Sequence, residues 1–222
     1  MPSIFKYVGA ESYARALIEK GQLYLQSLAH FRAYEDGLVR GDPDDGKLRY
    51  QPAEGLTLTK ADGEVVVLPA GSRFRSSVNA EDVFVYCLSS ERSEALAEKF
   101  RSPFCVEIRD AGALFAKIKG SVKLRSKLDS RNVYRGAVEY RALSALPGGD
   151  WALPEKVAFI KPPDWSWQAE YRIVIGRKGT FRAENVSLAL EIGPGESSVA
   201  MQREPLVLNV GSLSPIAQLH RF

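Results

Sequence analysis

The chain has only two cysteines and two histidines in 222 residues. Cys87 and Cys105 both fall in apolar, strand-like runs, over 83–88 and 104–108, which favours buried reduced thiols over a disulfide framework. His30 and His220 do not stand at ligand spacing from them, so a metal centre built on Cys and His is not expected. The start of the chain carries no apolar signal core and no long apolar run follows it. That argues against secretion and membrane insertion and makes a cytoplasmic protein the expectation. Charge is also sparse in net terms: 30 Lys and Arg against 27 Asp and Glu leave +3, too little to commit the chain to nucleic acid or a membrane surface. There is no G-x-x-x-x-G-K-[ST] phosphate loop, no G-x-S-x-G elbow, no internal repeat and no low-complexity segment. The acidic run Asp42, Asp44, Asp45 fails the EF-hand template, which needs an Asp or Asn where Gly46 stands and a Glu where Ala53 stands.

What is present is an ordinary globular composition, 45% hydrophobic and 26% charged, enough for one full core; a single domain over 1–222 is expected. Residues 4–8 read as a strand, 11–20 as a helix stopped by Gly21, and 22–26 as a second strand. A polar, glycine-punctuated loop over 27–46 follows, long enough to suggest a functional role. Strands are then expected over 48–50, 55–59, 64–68, 83–89, 104–108, 137–140, 156–160, 171–175, 186–192 and 206–210, with Asp62-Gly63 turning a hairpin. Helices are expected over 93–100 and from a cap at Asp110 to about Lys119. Strands outnumber helices without alternating with them, so the fold class is α+β, with a mostly antiparallel sheet and a few flanking helices.

The densest signal is Trp165-Ser166-Trp167-Gln168-Ala169-Glu170-Tyr171-Arg172-Ile173-Val174-Ile175. Alternation puts Tyr171, Ile173 and Ile175 on one face and Glu170, Arg172 and Val174 on the other, so a carboxylate stands at the mouth of a buried strand. Such a group is either ion-paired or chemically employed. A second signal is basic: Lys117, Lys119, Lys123, Arg125, Lys127, Arg131, Arg135 and Arg141 meet few acidic neighbours. This is either a solvated face or a ridge able to track a phosphate backbone, with Arg125, Lys127 and Arg131 as the contacts.

The strand–helix–strand opening, the loop ending Arg40-Gly41-Asp42-Pro43-Asp44-Asp45-Gly46, the Val85-Tyr86-Cys87-Leu88-Ser89 strand and Glu170-Tyr171-Arg172 together resemble a widespread prokaryotic family of uncharacterised domains. The order of the first and last blocks is also similar to DNA-targeting ADP-ribosyltransferases of the DarT type, in which an early strand and helix help hold NAD and a late Gln-Ala-Glu supplies the catalytic Glu. The resemblance implies an ADP-ribosyltransferase-like split sheet and NAD as co-substrate. It also implies Glu170 as the catalytic residue and a setting in toxin or antiviral defence. Lys6 and Arg40 are the implied phosphate contacts, Tyr7, Tyr34 or Trp167 the stacking surface, and the loop with Asp42 the substrate-facing element. The chain departs from that pattern where the transferases carry Arg or His in the first strand; here Lys6 and Tyr7 stand, and Lys6 lacks the planar fork. On this reading Glu170→Ala is expected to end NAD use with the fold nearly intact.

Two other readings remain open. Asp42, Glu170 and Lys161 could form a divalent-metal nuclease site, since oxygen ligands suit magnesium and a lysine can assist attack. Alternatively, the chain is a non-enzymatic module that binds nucleic acid or protein through its basic ridge and the indoles of Trp165 and Trp167.

Overall fold

A computed structural model of the chain describes residues 2–33, 41–192 and 204–222. The path begins with β1 (Ile4–Val8), α1 (Glu11–Lys20), β2 (Gln22–Ser27) and α2 (Leu28–Ala33). It continues through β3 (Lys47–Tyr50), the hairpin β4 (Thr57–Thr59) and β5 (Val65–Val67), then β6 (Arg73–Ser77) and β7 (Val83–Ser89). Next come α3 (Glu94–Lys99), β8 (Phe104–Ile108), α4 (Ala111–Lys123), β9 (Leu128–Ala137), β10 (Glu139–Tyr140), α5 (Pro154–Val157) and β11 (Ile160–Lys161). The described chain ends with β12 (Glu170–Arg177), β13 (Ser187–Glu191), β14 (Leu206–Asn209) and β15 (Ala217–Arg221).

The class is α+β and the sheets are mostly antiparallel, as the pattern indicated. Local chemistry sets the helix ends: Gly21 adopts φ 59° and closes α1, while Ser93 and Asp110 cap α3 and α4 by accepting the backbone N–H groups of Leu96 and Ala113. Several expectations are corrected. The run 156–160 is not a strand: Pro154, at a helix's first position, starts α5, and only Ile160 and Lys161 pair. The loop over 27–46 contains α2, whose Leu28 and Ala29 are buried. Much of the basic stretch is strand β9, and α4 runs on to Lys123. β6 and β15 were not anticipated, and no described helix is long and apolar enough to cross a membrane.

Strand β7 organises the main sheet. One of its edges pairs along its whole length with β12, in the register Glu170↔Ser89, Arg172↔Cys87 and Val174↔Val85. Its other edge changes partner: β2 pairs at Phe84 and Val85, β1 at Ser89. Between those points the sheet forks, with β14 continuing from β2 and β8 and β15 continuing from β1. The face carrying Ile173 and Ile175 packs against α1 and α4 through Leu17, Leu114 and Ile118. The opposite face carries Val85 and Val174 under α2, α5 and the small sheet β3–β6–β13.

Candidate active site

The fork opens into a cavity of about 510 Å³, within the range of small-molecule sites. Lys6 and Tyr7 of β1, Tyr24 and Gln26 of β2, Val85 and Cys87 of β7, and Glu170 and Arg172 of β12 all line it. Tyr13 of α1, His30 and Phe31 of α2, and Asp45, Lys161 and Gln168 complete most of the wall. Tyr13 had the spacing of a core residue, yet its side chain is exposed at this cavity.

Arg172 is wholly buried and anchors the site. Its Nη1 and Nη2 donate to the two carboxylate oxygens of Asp45, both at 2.8 Å, Nε donates to Glu170 Oε1 at 2.7 Å, and Nη1 also donates to the Ala158 carbonyl at 2.7 Å. Lys161 Nζ donates to Glu170 Oε2 at 3.1 Å and to Gln168 Oε1 at 3.0 Å, lies 3.9 Å from Asp42, and stands over the Trp165 ring. Charge-assisted forks of this kind are strong, and burial removes the screening that weakens surface pairs. Burial is the largest influence on Glu170 and opposes its ionisation, but Arg172 and Lys161 outweigh it and hold the carboxyl well below its ordinary range. Burial likewise acts against the charge of Lys161, but Glu170 and Asp45 keep its ammonium above its usual value. Asp42 differs: burial, then the adjacent Asp45 carboxylate, push it up to about 6, and among the described residues its Oδ2 has no hydrogen-bond partner.

The local backbone aims these groups. Ala169 ends a 3-10 turn with φ 43°, a left-handed conformation that costs a non-glycine residue about 1 kcal/mol. Its carbonyl accepts from Ser90 N at 2.7 Å and Glu170 N donates to Tyr140 Oη at 2.9 Å, so β12 begins with the Glu170 side chain turned toward the fork. Asp45 is held by a turn in which Gly46 adopts φ 70°; a Cβ there would stand 2.6 Å from Leu28 Cδ1, so only glycine fits. Arg32 secures that turn by donating to the carbonyls of Asp45 and Gly46.

Glu170 is ion-paired, and it also lines the cavity. Its two oxygens meet Arg172 Nε, Arg172 Nη2 and Lys161 Nζ, which leaves one acceptor position open, and Cys87 of β7 pairs with Arg172 in the same cavity wall. Burial, reinforced by Glu170, pushes the Cys87 thiol far up, so it stays protonated. Glu170→Ala would leave Arg172 and Lys161 buried with too little counter-charge, so this network argues for a loss of stability rather than the nearly intact fold expected from the sequence.

Of the other expected residues, Lys6 lines the cavity, and its Nζ donates to the Cys87 carbonyl at 2.8 Å inside the fork. Tyr7 forms wall rather than platform: its ring is flanked by Phe100 and Phe222, and its hydroxyl accepts from Ser93 N and donates to the Glu91 carbonyl. Trp167 packs on Phe100 and under Lys99, behind the cavity lining. Tyr34 and Arg40 lie outside the described residues. Arg125, Lys127 and Arg131 are not brought to the site. Leu128 pairs with Arg177, at the end of β12 opposite Glu170, about 23 Å away at the rise of a strand. There Arg131 is exposed and paired with Asp129, and Arg125 donates to the Val207 carbonyl. Asp42, Lys161 and Glu170 do come together, but among the described residues no group of three or more His, Cys, Asp or Glu is placed to hold a metal ion. Sequence reasoning missed Asp45, His30 and Gln26, since nothing in their spacing couples them to β12. No family model matches the chain, and neither the curated proteins nor the solved structures gave a match.

Proposed function

We propose that the cavity binds NAD and that the protein transfers ADP-ribose to a macromolecule. The observation that carries this reading is that the Glu170 carboxylate and the β1 residues Lys6 and Tyr7 line one cavity of about 510 Å³ at a sheet fork. Breaking the nicotinamide–ribose bond develops positive charge on the ribose, and a fixed carboxylate beside it lowers the barrier electrostatically. Because Arg172 and Lys161 already offset much of that charge, Glu170 works mainly by position: a ribose hydroxyl takes the acceptor position that Arg172 and Lys161 leave open. Lys6 meets the pyrophosphate, and the exposed rings of Tyr13 and Tyr24 flank the bases.

The test is incubation of the purified chain with labelled NAD and cell extract, comparing wild type with Glu170→Gln, which keeps the shape and one acceptor oxygen but removes the charge. Label should pass to protein or nucleic acid, and the substitution should slow transfer by about 10²–10³-fold. Magnesium-dependent cleavage of nucleic acid with no use of NAD would move Asp42, Lys161 and Glu170 to the nuclease reading. Binding of nucleic acid or protein that survives Glu170→Gln, with no covalent product, would select the non-enzymatic one.

A further inference from the structure

The small sheet β3–β6–β13 turns Leu48 and Phe74 inward, so Lys47, Arg49, Arg73, Arg75 and Glu191 share its outer face. Four cations there meet two carboxylates, one at each end: Asp44 pairs with Lys47 and Arg49, and Glu191 bridges Arg73 and Arg75, each at 2.5 Å. In the middle Arg49 and Arg75 stand directly opposite each other on neighbouring strands. Like charges in that position repel, and their side chains are only 20% and 22% exposed, which weakens screening by water. Among the described residues the Nε of each is buried and has no hydrogen-bond partner. Two adjacent guanidinium groups, each already ion-paired to one carboxylate yet each keeping an unused donor, are matched by an anion whose oxygens point in several directions.

We infer that the Arg49–Arg75 junction is a seat for a phosphoryl group, a phosphate monoester or diester. A tetrahedral phosphoryl group offers two forks three oxygens in different directions, whereas a planar carboxylate such as Glu191 offers two in one plane, one to each of Arg73 and Arg75. The seat is separate from the cavity and does not depend on the NAD reading, although Asp45 in the cavity wall lies two residues before Lys47. Lys47, at the edge of the face, adds charge; burial pushes its ammonium down first and the neighbouring Arg32 guanidinium second, so a bound anion would be favoured there as well.

The experiment titrates the full chain at low salt with inorganic phosphate, pyrophosphate and a short single-stranded oligonucleotide, reading melting temperature and calorimetric affinity. Wild type should be stabilised by at least one of these probes. Arg49→Gln or Arg75→Gln should weaken that probe's binding by about tenfold and reduce the salt slope by about one ion, with turnover at the cavity unchanged. Arg49→Lys, which keeps the charge but loses the fork, should fall between. A response to inorganic phosphate and pyrophosphate identifies a small-anion seat, and a response to the oligonucleotide alone identifies a diester backbone. Absence of any response, or equal binding by wild type and the two Gln variants, overturns the inference.

Discussion

Strand β12 presents two buried faces that obey opposite rules. On one, Ile173 and Ile175 pack against α4 in an apolar layer, where stability comes from removing hydrocarbon from water and filling space. On the other, Glu170 and Arg172 are just as inaccessible, yet they are held by Asp45, Lys161 and the Ala158 carbonyl beside an open cavity. The apolar face tolerates small losses. The charged face is tightly interdependent, because removing one ion strands its partner in a medium that solvates it poorly. A fold that needed only stability would have little reason to keep such a network, since apolar replacements of similar volume are often no worse. This network forms part of the cavity wall.

Substitutions on the two faces should separate these rules. The largest effect should come from Arg172→Ala, which leaves Asp45 and Glu170 buried without their shared cation; a loss of about 3–5 kcal/mol is expected in chemical denaturation. A loss under 1 kcal/mol would mean the network is not stabilising the fold. Glu170→Ala should also destabilise; Glu170→Gln, which keeps the shape but loses the charge facing Arg172 and Lys161, should destabilise less while losing transferase activity. A pH titration sharpens the contrast further. Asp42, pushed up to about 6 in the fold from an ordinary value of 3.8, binds its proton more tightly in the native state. Stability it contributes therefore falls as pH rises from about 4 to about 6, by on the order of 3 kcal/mol. Glu170 runs the other way: its folded pKa is depressed, so its contribution is present above about 4.5 and is lost as pH falls below that. Melting temperature should peak at mildly acidic pH, and Asp42→Asn should flatten the decline on the alkaline side of that peak. The smallest effect belongs to the apolar face: Ile173→Val should cost about 0.5–1.5 kcal/mol and leave activity unchanged.

Much of this contrast could be read along β12 itself, since a period of two assigns Tyr171, Ile173 and Ile175 to one side and Glu170, Arg172 and Val174 to the other. The opening strand–helix–strand unit and the cap at Asp110 were equally legible, because they depend on residues within a few positions of each other. What the pattern could not supply was the partner of Arg172, as Asp45 lies 127 residues away and is brought in by β-pairing and the Gly46 turn. β9 was hidden for a related reason: it is an edge strand whose half-exposed, charged residues lack the apolar alternation that marks a strand. α2 was masked by the polar composition around it, although Leu28 and Ala29 are fully buried beneath the small sheet. The fork at β7 is a property of pairing between distant segments and leaves no local trace.

Transfer of label from NAD by wild type and by Glu170→Gln, each first shown to be folded, measures most directly what the carboxylate at the fork does. Label should appear on a macromolecule with wild type and drop by about 10²–10³-fold with the variant. Equal transfer by both proteins, or none by either in the presence of varied acceptors, would contradict a catalytic role for Glu170 and leave it as the structural counter-ion of Arg172.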